Sequence, residues 1–477
     1  MKVLYCASEA LPFSATGGLA DVAGSLPKAL RKNKIGCRVV LPLYDSVAQE
    51  LKDKMRFVTS ISVPVAWRRQ YCGIFEAKVD NVIFYLIDNQ YYFKRNGGIY
   101  GHFDDAERFS FFSRAVLEML TYVDFKPDVI HANDWQTALV PVYYRLFYAN
   151  NEWYAGMKTL FTIHNIQYQG QYGTEILEDV FGIPGDSEPL LEYSHAINLM
   201  KGAIECANWV STVSPSYAEE ILDPWFSHNL DPILKERAWK LSGILNGIDV
   251  VGYDPETDPD IYVHFNEENY AEAKAENKKQ LQKRLNLTQD ADVPLIGMVT
   301  RLVSHKGLDL VKEGMDEIMR STNAQVVILG SGEAEYEQFF EWMQEKYPGR
   351  FNISLGFVPE LSRKIYAGAD IFLMPSKSEP CGLSQMISLR YGTIPVIRET
   401  GGLKDSIQDS GDGKGNGFTF KTYNTGDMLH SLGRAIWLYN EEKDNWKVLV
   451  ERALKCDNSW SKSAGEYIAL YKQILNF

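Results

Sequence analysis

Residues Asp370 to Gln385, D-I-F-L-M-P-S-K-S-E-P-C-G-L-S-Q, decide the fold. An apolar strand, Asp370 to Met374, runs straight into a polar turn carrying one carboxylate, Glu379. In open α/β sheets ligands sit outside the carboxyl ends of parallel strands, so this is a position for chemistry. Pro380 and Gly382 set an irregular turn around Cys381, directly after Glu379, and a helix can begin at Leu383. Its unpaired N–H groups would favour an anionic ligand. A surface glutamate in a Pro/Gly turn is the plain alternative, and the rest of the chain decides between them.

Outward from this stretch, short apolar runs alternate with helical patterns. Before it come Val3 to Ala7, Cys37 to Leu41, Val82 to Ile87, Asp128 to Ala132, Thr159 to Ile163 and Trp209 to Val213. Around it lie Pro294 to Thr300, Gln325 to Gly330, Asn352 to Leu355 and Thr393 to Arg398. This βα rhythm predicts two parallel, doubly wound α/β domains. The change of domain falls within S-G-I-L-N-G-I-D, Ser242 to Asp249, ahead of a Pro/Asp-rich segment and a charged helix from Glu267 to Leu285. We place it between residues 243 and 244, with the active cleft expected between the halves.

The 477 residues are too many for one ordinary core, which agrees with two domains. At 45% apolar and 23% charged residues the chain reads as globular, and no apolar run approaches the roughly 20 residues of a membrane span. The amino terminus shows no export or transit pattern, so a cytoplasmic location is expected. Six scattered cysteines without C-x-x-C pairs fit reduced thiols better than disulfides or a zinc site. A net charge of −13 argues against a nucleic-acid partner.

Two loops echo each other: T-G-G-L-A-D at Thr16 to Asp21 and T-G-G-L-K-D at Thr400 to Asp405. Paired glycines ahead of a helix let the backbone approach a diphosphate or sugar, although a strand-to-helix turn that merely needs glycine reads the same way. Neither is G-x-G-x-x-G, which makes hydride transfer a weak alternative. In T-R-L-V-S-H-K-G-L-D, Arg301 and Lys306 supply a guanidinium fork and a point charge suited to a diphosphate. L-G-S-G-E, with Gly330, is a further glycine loop at a strand end. H-A-N-D-W and T-I-H-N-I place His131, Asp134, His164 and Asn165 after strands, where they can bond sugar hydroxyls, with Trp135 stacking on a sugar face. His131 reads as structural, His164 as the better ligand candidate.

Taken in order, these motifs, together with V-S-P-S-Y, L-N-G-I-D and a late N-S-W, resemble the bacterial glycogen synthase family, which includes plant starch synthases. The resemblance covers nearly the whole chain. It implies the GT-B architecture, two Rossmann-like domains facing across a deep cleft, with a last helix at 460–477 crossing back onto the first domain. It also implies transfer of glucose from ADP-glucose to the nonreducing end of an α-1,4-glucan, with retention and with no metal or other cofactor. Glu379 matches the catalytic carboxylate, Arg301 and Lys306 the cations on the departing diphosphate, and His164 the residue whose carbonyl stabilises developing positive charge. Thr16, Gly17 and Gly18 match the diphosphate loop of the first domain, and Thr400, Gly401 and Gly402 the phosphate loop of the second. Phe357 sits where the family stacks an aromatic on adenine. Asp21, Asp134 and Asn246 resemble site residues, as do Gly330, Cys381, Gly382 and Leu383.

The chain departs from the family pattern at two places. Ala15 stands where the familiar motif is K-T-G-G-L, removing a charged contact worth about 1.5 to 3 kcal/mol. Ile387 stands eight residues after Glu379, where related retaining transferases often carry a second glutamate. Without a paired carboxylate, same-face attack is easier to argue than a covalent double displacement. The alternatives are another retaining glycosyltransferase of this fold, with a different donor or acceptor, and a low-activity glucan-binding relative.

Overall fold

The computed structural model describes residues 1–476. The chain forms two compact units, one comprising Met1–Gly247 and the stretch that begins at Trp460, the other Ile248–Ser459. The division falls inside the Ser242 to Asp249 stretch, slightly after the expected boundary at residue 243.

The first unit is built on β1 (Lys2–Cys6), β2 (Gly36–Pro42), β3 (Arg56–Val65), β4 (Arg68–Val79), β5 (Val82–Asp88), β6 (Val129–Asn133) and β7 (Lys158–Ile163). A small separate sheet holds β8 (Gln171–Tyr172), β9 (Glu192–Tyr193) and β10 (Ala196–Asn198). β11 (Trp209–Thr212) and β12 (Leu241–Gly243) complete the main sheet, whose order is β12-β11-β7-β6-β1-β2-β5-β4-β3. From β12 to β5 all neighbours are parallel. The expectation of a wholly parallel sheet fails at one edge, where β4 runs antiparallel to β5 and β3 antiparallel to β4. The cause is local: Asp80 and Asn81 both adopt positive φ, 48° and 63°, and reverse the chain in a two-residue hairpin that leaves no room for a crossover helix.

The second unit contains β13 (Leu295–Val299), β14 (Gln325–Gly330), β15 (Phe351–Leu355), β16 (Ile371–Met374), β17 (Ile394–Arg398) and β18 (Phe418–Phe420). Their order, β15-β14-β13-β16-β17-β18, is parallel throughout. Leu281 of the helix Tyr270–Arg284 and Leu285, which caps its end, join Leu295, Val327, Leu361 and Ile365 in one core cluster. The chain enters and leaves this unit at one place, since Ile248 N–H donates to the Asn458 carbonyl at 2.8 Å.

The helix Trp460–Asn476 packs on the helix Gly18–Lys32 of the first unit. The last residue of the expected 460–477 helix lies outside the described residues. Its Tyr467 and Tyr471 are buried, and Ser463 Oγ donates to the Leu245 carbonyl at 2.5 Å. All six cysteines are free thiols. Among the described residues no helix is long and apolar enough to cross a membrane.

Candidate active site

In the second unit the loop after β13 carries Arg301 and Lys306 and ends at Gly307, which has φ 77°. A Cβ at Gly307 would stand 2.1 Å from the Pro375 carbonyl oxygen, so glycine is required for this loop to lie against the turn after β16. Lys377 N–H donates to the His305 carbonyl at 2.9 Å and closes the contact. Lys306 is thereby delivered to Glu379, with Nζ 2.6 Å from Oε2. Ser376 Oγ donates to the same oxygen at 3.1 Å. Glu379 is only 7% exposed, so the carboxylate is fixed by two partners in a largely dry setting. Arg301 is exposed, and among the described residues its guanidinium makes no ion pair. Burial lowers the His305 imidazole below its ordinary range, and the charges of Lys306 and Arg301 add to the effect. The loop is therefore a concentrated positive field.

The glycines around Glu379 answer to packing. A Cβ at Gly401, whose φ is 42°, would meet the Glu379 carbonyl oxygen at 2.1 Å, and one at Gly402 would meet the Cys381 carbonyl oxygen at 2.2 Å. Gly402 N–H is already committed to the Glu379 and Pro380 carbonyls at 3.2 Å. Thr400, buried, opens this six-residue helix. The phosphate-loop expectation for Thr400–Gly402 thus meets a turn pressed against the Glu379 backbone. Gly330 is similar, because a Cβ there would fall 1.8 Å from the Thr300 carbonyl oxygen. Cys381 is buried, Gly382 adopts φ 69°, and Leu383 caps the helix Ser384–Arg390 as expected. Ile387 is buried on that helix as a packing residue. Phe357 is 92% exposed after Gly356, its ring free to stack.

In the first unit the candidates gather at the carboxyl ends of β1, β6 and β7. Asp134 follows β6 with a positive φ of 56°, and its Oδ1 accepts the His164 backbone N–H at 2.7 Å. Burial pushes its carboxyl up to about 7, against the pull of the His164 and Asn165 amides. His164 Nε2 lies 2.9 Å from Asn133 Oδ1, and burial lowers the imidazole to about 3, so the ring is neutral at neutral pH. His131 is structural: fully buried, its nitrogens lie 2.8 Å from the Tyr471 hydroxyl and 2.6 Å from Thr162 Oγ1. Trp135 packs edge-on against Phe109 at 5.3 Å.

The first T-G-G-L does not directly follow its strand, because residues 7–15 intervene after β1. They carry Glu9, which the sequence reading passed over. Glu9 is buried, and its Oε2 accepts both the backbone N–H and Oγ1 of Thr16, at 2.6 and 2.7 Å. Burial raises the Glu9 carboxyl, the Thr16 bonds oppose this, and Asp21 raises it further. Ala15 is exposed beside this turn. A Cβ on Gly18 would meet nothing within 4 Å, and one on Gly17 only Glu9 Oε1 at 3.8 Å. These two glycines, unlike the second pair, leave space that the protein itself does not fill. Asn246 is buried, and among the described residues its Oδ1 has no hydrogen-bond partner. Glu9, Asn133 and Ser376 are the residues missed; S-E directly after the first strand was the available signal for Glu9.

Residues 2–236 match the family model for the starch synthase catalytic domain, and residues 279–447 that for glycosyl transferases group 1. The chain is 48% identical over 480 residues to glycogen synthase of Bacillus cereus (strain Q1), covering all of both chains. It is also 48% identical to glycogen synthase of Geobacillus thermodenitrificans, covering all of this chain and 98% of the relative. The solved catalytic domain of starch synthase IV from Arabidopsis thaliana, bound to ADP and acarbose, superposes with a TM-score of 0.90 at 35% identity, covering 100% of this chain and 99% of that one. Full-length similarity to these enzymes, and a buried carboxylate joined to a loop lysine at the carboxyl edge of a parallel sheet, lead to one assignment: the chain belongs to the glycogen and starch synthase family of GT-B glycosyltransferases.

Proposed function

We propose that this chain elongates an α-1,4-glucan, transferring the glucosyl group of ADP-glucose to a nonreducing end with retention of configuration. The observation that carries the reading is Lys306 Nζ at 2.6 Å from the buried Glu379, in a chain similar to glycogen synthases over its whole length. In the transfer, the bond between the anomeric carbon and the diphosphate oxygen breaks while the acceptor hydroxyl oxygen bonds to that carbon from the same face. The hydroxyl proton passes to the departing phosphate oxygen, and ADP leaves with the bonding electron pair. Charge therefore grows on the diphosphate, where fixed cations such as Lys306 and Arg301 are worth several kcal/mol. Glu379 holds the ammonium in place and faces the glucose.

The neutral His164 ring leaves its backbone carbonyl to stabilise positive charge near the anomeric carbon. The space beside Gly17 and Gly18 suits the diphosphate, and Phe357 suits adenine. With the charge carried by side chains, no metal is required, and chelation by EDTA should leave the rate unchanged. Glucose incorporation into glycogen, with ADP-glucose and UDP-glucose in parallel, tests the reading. Incorporation from ADP-glucose is expected, falling by about 10²–10³ in Glu379→Ala and in Lys306→Ala. Incorporation from neither donor, or an undiminished rate in Glu379→Ala, overturns it.

A further inference from the structure

The first unit has a second concave site at the opposite edge of its sheet. A cavity of about 350 Å³ opens where β1, β2 and β5 begin, and four cations line it: Lys2, Arg31, Arg38 and Lys78. Lys2 opens β1, Arg38 lies near the start of β2, Lys78 lies near the end of the antiparallel β4, and Arg31 closes the helix Gly18–Lys32. One acid, Asp124, shares the lining. Among the described residues none of the four cations makes an ion pair within 4.0 Å.

A plainer account exists for two of them, since Arg31 serves the carbonyl end of its helix and Lys78 is an exposed charge near a sheet edge. It does not cover the inner wall. Arg38 is half-buried, its guanidinium 4.5 Å from the centre of the Phe125 ring, and it donates to the Tyr85 hydroxyl. Lys2 Nζ sits 5.9 Å from the same ring. Like charges so gathered repel, more so where the site is recessed from water, and the chain is otherwise acidic at −13. An anion relieves that repulsion.

We infer that this cavity binds a small phosphorylated molecule. Its volume lies within the roughly 300–1,000 Å³ usual for small-ligand sites and is too small and concave for nucleic acid or a lipid surface. The planar fork of Arg38 suits two phosphate oxygens, while Lys2, Lys78 and Arg31 act as point charges around it. Five-residue strands such as β1 set it roughly 17 Å from the edge that carries Thr16, Asp134 and His164, so it is separate from the candidate active site and does not depend on its assignment.

Calorimetric titration of pyrophosphate, with orthophosphate in parallel, into the full chain tests this. The proteins compared are Lys306→Ala and Lys306→Ala that also carries Arg31→Glu/Lys78→Glu, with the unaltered chain and the double variant Arg31→Glu/Lys78→Glu as controls for folding and glucosyl transfer. Lys306→Ala removes the cation proposed to hold a diphosphate in the active site, and it should keep a saturable binding event for at least one of the two anions. Adding Arg31→Glu/Lys78→Glu to Lys306→Ala should weaken that event by at least about tenfold in affinity, as expected for charge-assisted contacts. Arg31 and Lys78 are exposed, so melting temperature and glucosyl transfer should be unchanged, and Arg31→Gln/Lys78→Gln should show a smaller loss of the same kind. The proposal is overturned if Lys306→Ala shows no saturable event with either anion, or if Lys306→Ala binds as tightly with Arg31→Glu/Lys78→Glu as without it.

Discussion

Asp134 shows what a single residue carries here. It is held in left-handed backbone at φ 56° so that its Oδ1 receives the His164 N–H, and burial pushes its carboxyl to about 7. The unfolded carboxyl titrates near 3.9, so the folded chain holds this proton more tightly. Its contribution to stability is therefore fully present below about pH 4 and is lost as pH rises through about 7. Asparagine keeps the acceptor oxygen and tolerates the positive φ but cannot ionise. Asp134→Asn should therefore gain in melting temperature relative to the unaltered chain between pH 4 and pH 8. His164, lowered to about 3, works in the opposite direction but is common to both proteins and cancels in the comparison. A constant difference across that range would show that Asp134 does not titrate as described. The residue types were legible in H-A-N-D-W and T-I-H-N-I; their coupling was not. Asp134 and His164 meet only because β6 and β7 pair side by side, a register that no local pattern encodes.

At the scale of elements, the repeated T-G-G-L looked like one device used twice, and the structure separates the copies. Gly401 is required by its own fold: φ is 42°, and a Cβ would lie 2.1 Å from the Glu379 carbonyl oxygen. Gly18 begins a helix with nothing within 4 Å of its would-be side chain. Alanine at the two positions should have opposite signatures. Gly401→Ala should destabilise by about 2 kcal/mol or more through strain and steric displacement of the Glu379 turn. Gly18→Ala should leave the melting temperature level or slightly raised, because alanine is the better helix former, while raising the KM for ADP-glucose. Thermal unfolding and steady-state kinetics on the pair decide this. A destabilised Gly18→Ala with normal KM would mean that the open space serves folding alone. The helix Tyr270–Arg284 carries a related lesson, since the sequence showed only that it is charged. Lys274 and Lys278 are buried, the first donating to the carbonyls of Ala367, Ala369 and Tyr391 at 3.0 Å each, the second paired with Asp370 at 2.8 Å. Sequence displays the charge of a lysine but not the helix-end carbonyls that accept its hydrogen bonds.

At the scale of the whole molecule, the βα rhythm was enough to give two sheets and their approximate division. The helix Trp460–Asn476 was not readable that way, because nothing in its own pattern tells which unit it covers; only the family resemblance did. Its anchor is one buried network, in which the Tyr471 hydroxyl lies 2.8 Å from His131 Nδ1, His131 Nε2 lies 2.6 Å from Thr162 Oγ1, and Thr162 Oγ1 lies 2.6 Å from Ser211 Oγ. Burial lowers the His131 imidazole well below its usual range, so the ring stays neutral and needs a partner at each nitrogen. Tyr471→Phe removes one partner without opening a large cavity. The stranded nitrogen should cost about 1 to 3 kcal/mol. Because a chain of two units need not unfold in one step, a single melting temperature is a poor probe. Hydrogen exchange read strand by strand is better: amides of β1, β6 and β7 should lose protection by that amount, whereas those of β13, β14 and β16 should be unchanged. Equal loss in both sets would show that the final helix stabilises the chain as one cooperative body, and no loss in either would remove the His131 network as its anchor.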